Sequence, residues 1–257
     1  MNQIGIDYNA KLQRLVRQIK ADISKEIMPL VRMLASEYTQ DAAVTTQDAW
    51  SDRIMAAMQF LFAKWQNERV SVAADRIAGE FVQAALKKSE RDLKRSVGID
   101  VFSGSKQMQD YLLASAQQNA QLIKSIPAKY LEEVQTLVMA NMRSGMRPGY
   151  IDRALQEQFG VTQRRAKFIA RDQTSKIQGE LAEKQQQDAG FEYFRWVDSE
   201  DRRVRHRHRE IAGKVTAYGP GVYKWSNLPL SSDGVPIKPG SDYNCFTGDS
   251  PVNVFYG

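Results

Sequence analysis

Leu12, Leu15, Val16, Ile19, Ile23, Ile27, Leu30 and Leu34 recur at steps of three and four residues. Steps of that size return a side chain to one side of an α-helix, so the stretch reads as a helix with a single apolar stripe. Pro29 falls inside the stripe and lacks a backbone N–H, which predicts a kink or break there. The period returns in Ile54, Met58, Leu61, Phe62 and Trp65, after "TTQDAW", where Thr46 or Asp48 can cap a helix. "VSVAADRIAGEFVQAALKKSERDLKRSVG" carries the pattern on to Gly98. Residues 1–98 are thus expected to be long helices with few loops, suited to a bundle or a coiled-coil-like arm. Residues 1–98 contain no His or Cys, so the stripes read as packing surface rather than as a cofactor site.

"GIDVFSGS", residues 98–105, is a Gly/Ser joint. Helices resume at Gln107 and run towards Ser125. A second helix is expected from Ser125 as cap, with Pro127 near its first turn and Gly145 at its end. "MRPGYIDRALQEQFG" predicts a short helix stopped by Gly160, and Thr162 caps the next, which runs to Gly190. There the period changes. "FEYFRWVD" alternates and is rich in aromatics, so it reads as a strand. A turn and a short helix follow in "DSEDRRVRHRHREIAG", then a strand pair, "KVTAYG" and "GVYKW", around "GPG". Ser226 to Gly240 reads as a loop. The fold class expected is mainly α with a small β-containing C-terminal module, α+β over 107–245.

The net charge of +6 and the isoelectric point near 9.3 favour an acidic partner, such as DNA or an acidic protein surface. Runs such as "KKSERDLKR" alternate in sign, however, and read as solvated helix faces. The N-terminal residues "MNQIGIDYNAKLQRL" have no apolar core or small-residue cleavage site, and so do not read as a secretory signal. No run of about 18 apolar residues occurs, and no membrane partner is expected. "IMAAMQFLFAKW" is too short and reads as a buried amphipathic helix. The single cysteine fits a reducing compartment. Neither Gly-x-Ser-x-Gly nor a phosphate-cradling Gly-x-x-x-x-Gly-Lys-[Ser/Thr] is present. His206 and His208 are the only histidines, among arginines that disfavour their protonation. With Cys245 they make an incomplete structural zinc set, so neither a metal nor another cofactor is expected.

Four stretches carry a resemblance when taken in order. The first runs from "NAQLIKSIPAKYLEEV" through "RRAKFIARDQTSKIQGEL". The second is "AGFEYFRWVDSEDRRVRHRHREIAGKV", with Trp196 and an Asp-x-Arg-Val-Arg-x-x-His core made of Asp201, Arg203, Arg205 and His208, followed by Gly213. A loop containing "PG" and then "DYNC" complete the set. Together they resemble the phage Mu F-like minor head proteins, or head morphogenesis proteins, over roughly residues 107–245. The resemblance implies a non-enzymatic component of a tailed-phage procapsid, associated with the portal and with packaged DNA, and a place in the virion after assembly in the host cytoplasm. Many members place cysteines in the turn where this chain has Arg205 and His208, which takes the zinc-like pattern away.

The residues themselves leave two readings of that turn. Asp201 or Asp198 can lock Arg203 or Arg205 in a structural ion pair, a network that Arg171 and Asp172 can join. Alternatively "RRVRHRHR" contacts phosphates, with Arg202, Arg207 and Arg209 as candidate DNA ligands.

The family commonly closes with Asn-Cys-Arg-Cys, whereas this chain continues from Cys245 as "CFTGDSPV". That segment resembles the first block of an intein or Hint-like domain, with Asn244 as the residue before the junction and Cys245 as the nucleophile. No His follows His208, so Cys245 is expected to be dormant and the last dozen residues poorly packed. The domains expected are a helical docking region, 1–106, a Mu F-like domain, 107–244, and the start of an intein-like block, 245–257. An autoprocessing precursor and a DNA-binding protein outside the capsid are the rival classes.

Overall fold

A computed structural model describes residues 2–37, 45–98, 105–144, 148–198, 204–241 and 250–253. They form helices α1 (Gln3–Glu26), α2 (Met28–Glu37), α3 (Thr45–Trp65), α4 (Glu68–Val97), α5 (Lys106–Arg143), α6 (Pro148–Asp188) and α7 (His206–Gly213). The strands are β1 (Tyr193–Val197), β2 (Val215–Thr216), β3 (Gly219–Pro220), β4 (Val222–Lys224) and β5 (Ser250–Asn253). The fold is mainly α with a small antiparallel β-module towards the C-terminal end. No helix among the described residues is long and apolar enough to cross a membrane.

The chain divides into two compact units. One comprises Tyr8–Ala78 and Gln118–Ile169, the other Met1–Asp7, Gly79–Gln117 and Ala170–Gly257. The first is a helical bundle. Its core joins Ile19, Ile23 and Ile27 of the α1 stripe to Ile54, Met58 and Leu61 of α3, to Leu131, Val134 and Val138 of α5, and to Ile151 and Leu155 of α6. The long apolar stripe therefore finds its partner face within the chain. Burial of this kind is what holds helices of modest intrinsic propensity together. Trp65 adds a polar latch, its indole N–H donating to Asp22 at 3.0 Å.

The predicted break at Pro29 is present, two residues early: α1 stops at Glu26, and Pro29 stands in the first turn of α2. There its missing N–H costs nothing, since that donor has no partner within the helix anyway. The stripe survives the break because Ile27 N and Val31 N still bond the carbonyls of Ile23 and Ile27. Thr46 and Asp48 lie inside α3, which already begins at Thr45.

Two expected helix boundaries are absent. Ser125 and Pro127 lie inside a continuous α5, and Gly160 and Thr162 inside a continuous α6. Pro127 forfeits one backbone bond, yet Ile123, Ile126, Tyr130 and Leu131 are fully buried around it, and that burial outweighs the loss. Ser125 turns its hydroxyl back to Leu122 O at 2.7 Å and accepts from Arg165 at 3.1 Å, so it caps nothing. Thr162 is likewise satisfied within its helix, bonding Gln158 O at 3.0 Å. Gly145 lies outside the described residues, as do residues 99–104 of the Gly/Ser joint.

The end of α6 falls where the sequence places it. Gly190 adopts φ +83°, Gly190 N bonds Gln187 O, and Phe191 N bonds Gln186 O. This pair of bonds is a Schellman cap, and a glycine enters that left-handed turn without steric cost.

Candidate functional site

Of the stretches that carry the sequence resemblance, those from Ala189 onwards belong to one unit together with the end of α6. Alternation along β1 turns Phe194 and Trp196 inward and leaves Arg195 exposed. β1 is the central strand, with β4 antiparallel on one side and β5 antiparallel on the other. Phe194, Trp196, Ile211, Tyr223, Trp225 and Ile237 form the module's core. Phe194 stacks on Trp225 at 4.0 Å between ring centroids. Tyr223 buries its ring and spends its hydroxyl on Ile211 O at 2.8 Å, where α7 ends. Burial pushes the Tyr223 phenol above its ordinary pKa, with Arg207 acting weakly against it. The hydroxyl is therefore a neutral donor.

The expected pairing of "KVTAYG" with "GVYKW" is replaced by two smaller pairings. β2 turns back on β3, and β4 joins β1 instead. Thr216 explains the tight turn: its hydroxyl lies 3.0 Å from Gly219 O and 2.7 Å from Val222 O, and accepts from Tyr218 N at 3.1 Å. Of the segment expected to be poorly packed, residues 250–253 pair with Val197 to Phe194, and the rest lies outside the described residues.

His208 is buried, with its ring edge-on to Trp196 at 5.4 Å between centroids. His206, two residues away, is exposed and bonds Glu210 at 3.1 Å. The two histidines thus sit in different environments. Among the described residues no group of three or more His, Cys, Asp and Glu gathers as a metal site.

Arg207 is structurally engaged. Its guanidinium donates twice to Leu230 O, at 2.9 and 2.8 Å, and once to Glu210, at 3.2 Å. These bonds tie α7 to the following loop and leave little of the fork for a phosphate. Arg205, His206, Arg207, Ser231, Asp233 and Ser241 line an open cleft of about 560 Å³. Arg209 is exposed on α7. Asp172, nearly buried on α6, is held by Lys176 at 2.8 Å and by the Gln173 amide at 3.2 Å. Asp201, Arg202, Arg203, Asn244 and Cys245 lie outside the described residues.

A close backbone approach in this unit was not singled out from the sequence. The loop ending in Pro239–Gly240 lies directly on α6. A Cβ placed on Gly179 would meet Pro239 O at 2.0 Å, and one on Gly240 would meet Ser175 O at 2.4 Å. Lys238 clamps the same junction through an ion pair with Glu183. A second close approach joins α7 to the sheet, where a Cβ on Gly221 would meet Ala212 O at 2.5 Å. Gly213, which belongs to the resemblance, has open space around it. The signal for Gly179 was legible in principle. A glycine inside a good helical run costs about 1 kcal/mol against alanine, and its usual reason is close packing.

Two helix–backbone locks thus surround the aromatic core of this unit. Residues 132–247 match the model of the family described as Phage Mu protein F like protein. It is also similar to an uncharacterized protein of Haemophilus influenzae, with 27% identity over 252 residues. That alignment covers 95% of this chain and 52% of the relative, so the chain spans about half the length of the curated protein it matches. No solved structure matches it.

Proposed function

We propose that the chain is a minor head protein of a tailed bacteriophage, acting in head morphogenesis and retained in the virion. The observation that carries this reading is the coincidence of the family match, residues 132–247, with the part of the chain where helix, loop and sheet are locked backbone to backbone. Such contacts suit a component that must keep its shape within an assembly rather than one that moves around a substrate. The role proposed is non-enzymatic, needs no cofactor, and has the portal and procapsid proteins as partners. Residues 107–244 are taken as the head-protein domain. Within the 1–106 region the α1 stripe is already buried, so docking would use the outer faces of the bundle helices.

An amber codon early in this gene, in a phage genome that carries it, tests the role. The expected outcome is a fall in infectious particles by at least an order of magnitude, with heads that are misassembled or fail to deliver DNA. Restoration by the chain supplied from a plasmid completes the result. Unchanged titre and head morphology would contradict the reading.

A further inference from the structure

In the helical bundle, α6 turns Ile151 and Leu155 into the core. At about 100° per residue, Tyr150, Arg153, Glu157, Gly160 and Val161 fall within about 100° of arc on the opposite, outward face. Tyr150 is 57% exposed and Val161 44%, and Arg153 and Glu157 are exposed with them. Arg153 and Glu157 stand one turn apart, yet neither has an ion-pair partner among the described residues. Asp152 lies about 140° round from Glu157, outside this face. Gly160 is the odd residue here. A glycine inside a helix costs about 1 kcal/mol against alanine, and its usual reason is a close approach. Gly179 has that reason within its own chain, where the Pro239 carbonyl closes on it. Around Gly160 only the flexible end of Arg164 comes near, 3.5 Å from where a Cβ would stand. The chain's own packing gives Gly160 no cause to lack a side chain, whereas a ring arriving from outside would.

The face is complementary to itself. Tyr150 and Gly160 stand five residues either side of Leu155, and Arg153 and Glu157 two residues either side. A two-fold axis level with Leu155 lays a second α6 antiparallel on the first and brings both pairs together at once. The Tyr150 ring of each copy then covers Gly160 of the other, where the Arg164 guanidinium is at hand to take the face of the ring. Beside the axis, Arg153 of each copy meets Glu157 of the other, so the unpaired charges neutralise one another twice over. A uniformly acidic or uniformly basic partner would instead set Glu157 or Arg153 against its like.

We propose that the outward face of α6 is a self-association surface, on which a second copy of the chain packs antiparallel about a two-fold axis through Tyr150, Arg153, Glu157 and Gly160. The inference goes beyond the head-protein reading and does not depend on it, since the isolated chain displays it. The contact runs along about 20 Å of one helix, from Tyr150 to Arg164. That is less than a standard interface offers, so the dimer is weak and forms where copies are held close together.

The test is sedimentation equilibrium of the 257-residue chain. A contact of this size is expected to give a monomer–dimer equilibrium with a Kd of about 10–100 µM. Arg153→Glu alone and Glu157→Arg alone each oppose like charges across the axis, and each should weaken the dimer at least about tenfold. The two substitutions combined restore opposite charges and should return the Kd to within about threefold of its starting value. Tyr150→Ala should weaken the dimer about tenfold. Arg14→Glu, exposed on α1, should leave it unchanged. Circular dichroism checks that the variants are folded. A chain that stays monomeric up to about 500 µM would overturn the proposal. A dimer indifferent to Tyr150→Ala and to both charge reversals would do the same, as would a double variant no tighter than either single one. A monomeric chain whose Tyr150→Ala variant is depleted from heads would assign the face to a different protein, and that result also overturns self-association.

Discussion

Trp196→Ala should destabilise the C-terminal module by about 3–5 kcal/mol, the range for removing a large aromatic side chain from a packed core. Trp196 is 1% exposed, stands on the central strand, and has His208 against its edge. Its backbone N–H bonds Gly221 O at 2.8 Å, so the strand backbone is pinned and cannot collapse into the space left behind. That rigidity places the cost at the upper end of the range. Trp196→Phe should cost far less. The indole N–H has no hydrogen-bond partner among the described residues, so removing it sacrifices volume and no bond. Urea unfolding followed by circular dichroism measures both. A change below about 1 kcal/mol for the alanine variant would mean that the aromatic core is not what holds the module.

Gly179→Ala should lower stability by about 3 kcal/mol, although alanine is the better helix former by about 1 kcal/mol. The new methyl would sit 2.0 Å from Pro239 O, a backbone atom that cannot step aside without taking the loop with it. Gly160→Ala in the same helix is the internal control. Only the flexible tip of Arg164 comes near, at 3.5 Å, so this change should stabilise by up to about 1 kcal/mol. Opposite signs from one substitution at two sites of one helix would establish the backbone lock. Equal signs would contradict it.

The sequence marked the elements better than their ends. The α1 stripe, the change of period at Gly190 and the strand at 193–197 were all legible, because each depends on spacing within one segment. The breaks expected at Ser125 and Gly160 were wrong for one shared reason. Each rested on a local signal worth about 1–3 kcal/mol, and each residue lies in a helix anchored by buried side chains within a turn or two, Ile123 and Ile126 near Ser125, Leu155 and Ala166 near Gly160. The pairing of β4 with β1 could not be seen from turn chemistry, since it depends on which aromatic faces meet. At the candidate site the motif residues Trp196 and His208 do meet, edge to ring. The contact of Gly179 with Pro239 joins residues sixty positions apart, so a glycine inside a helical run announces a close approach but not its partner.

Quantitative mass spectrometry of purified, DNA-filled heads tests the central claim most directly, with portal peptides as the internal reference. Peptides spanning α6 and the β-module, residues 148–224, are expected at a fixed ratio to portal that survives nuclease treatment and density-gradient purification. Heads that contain portal but none of these peptides would contradict it.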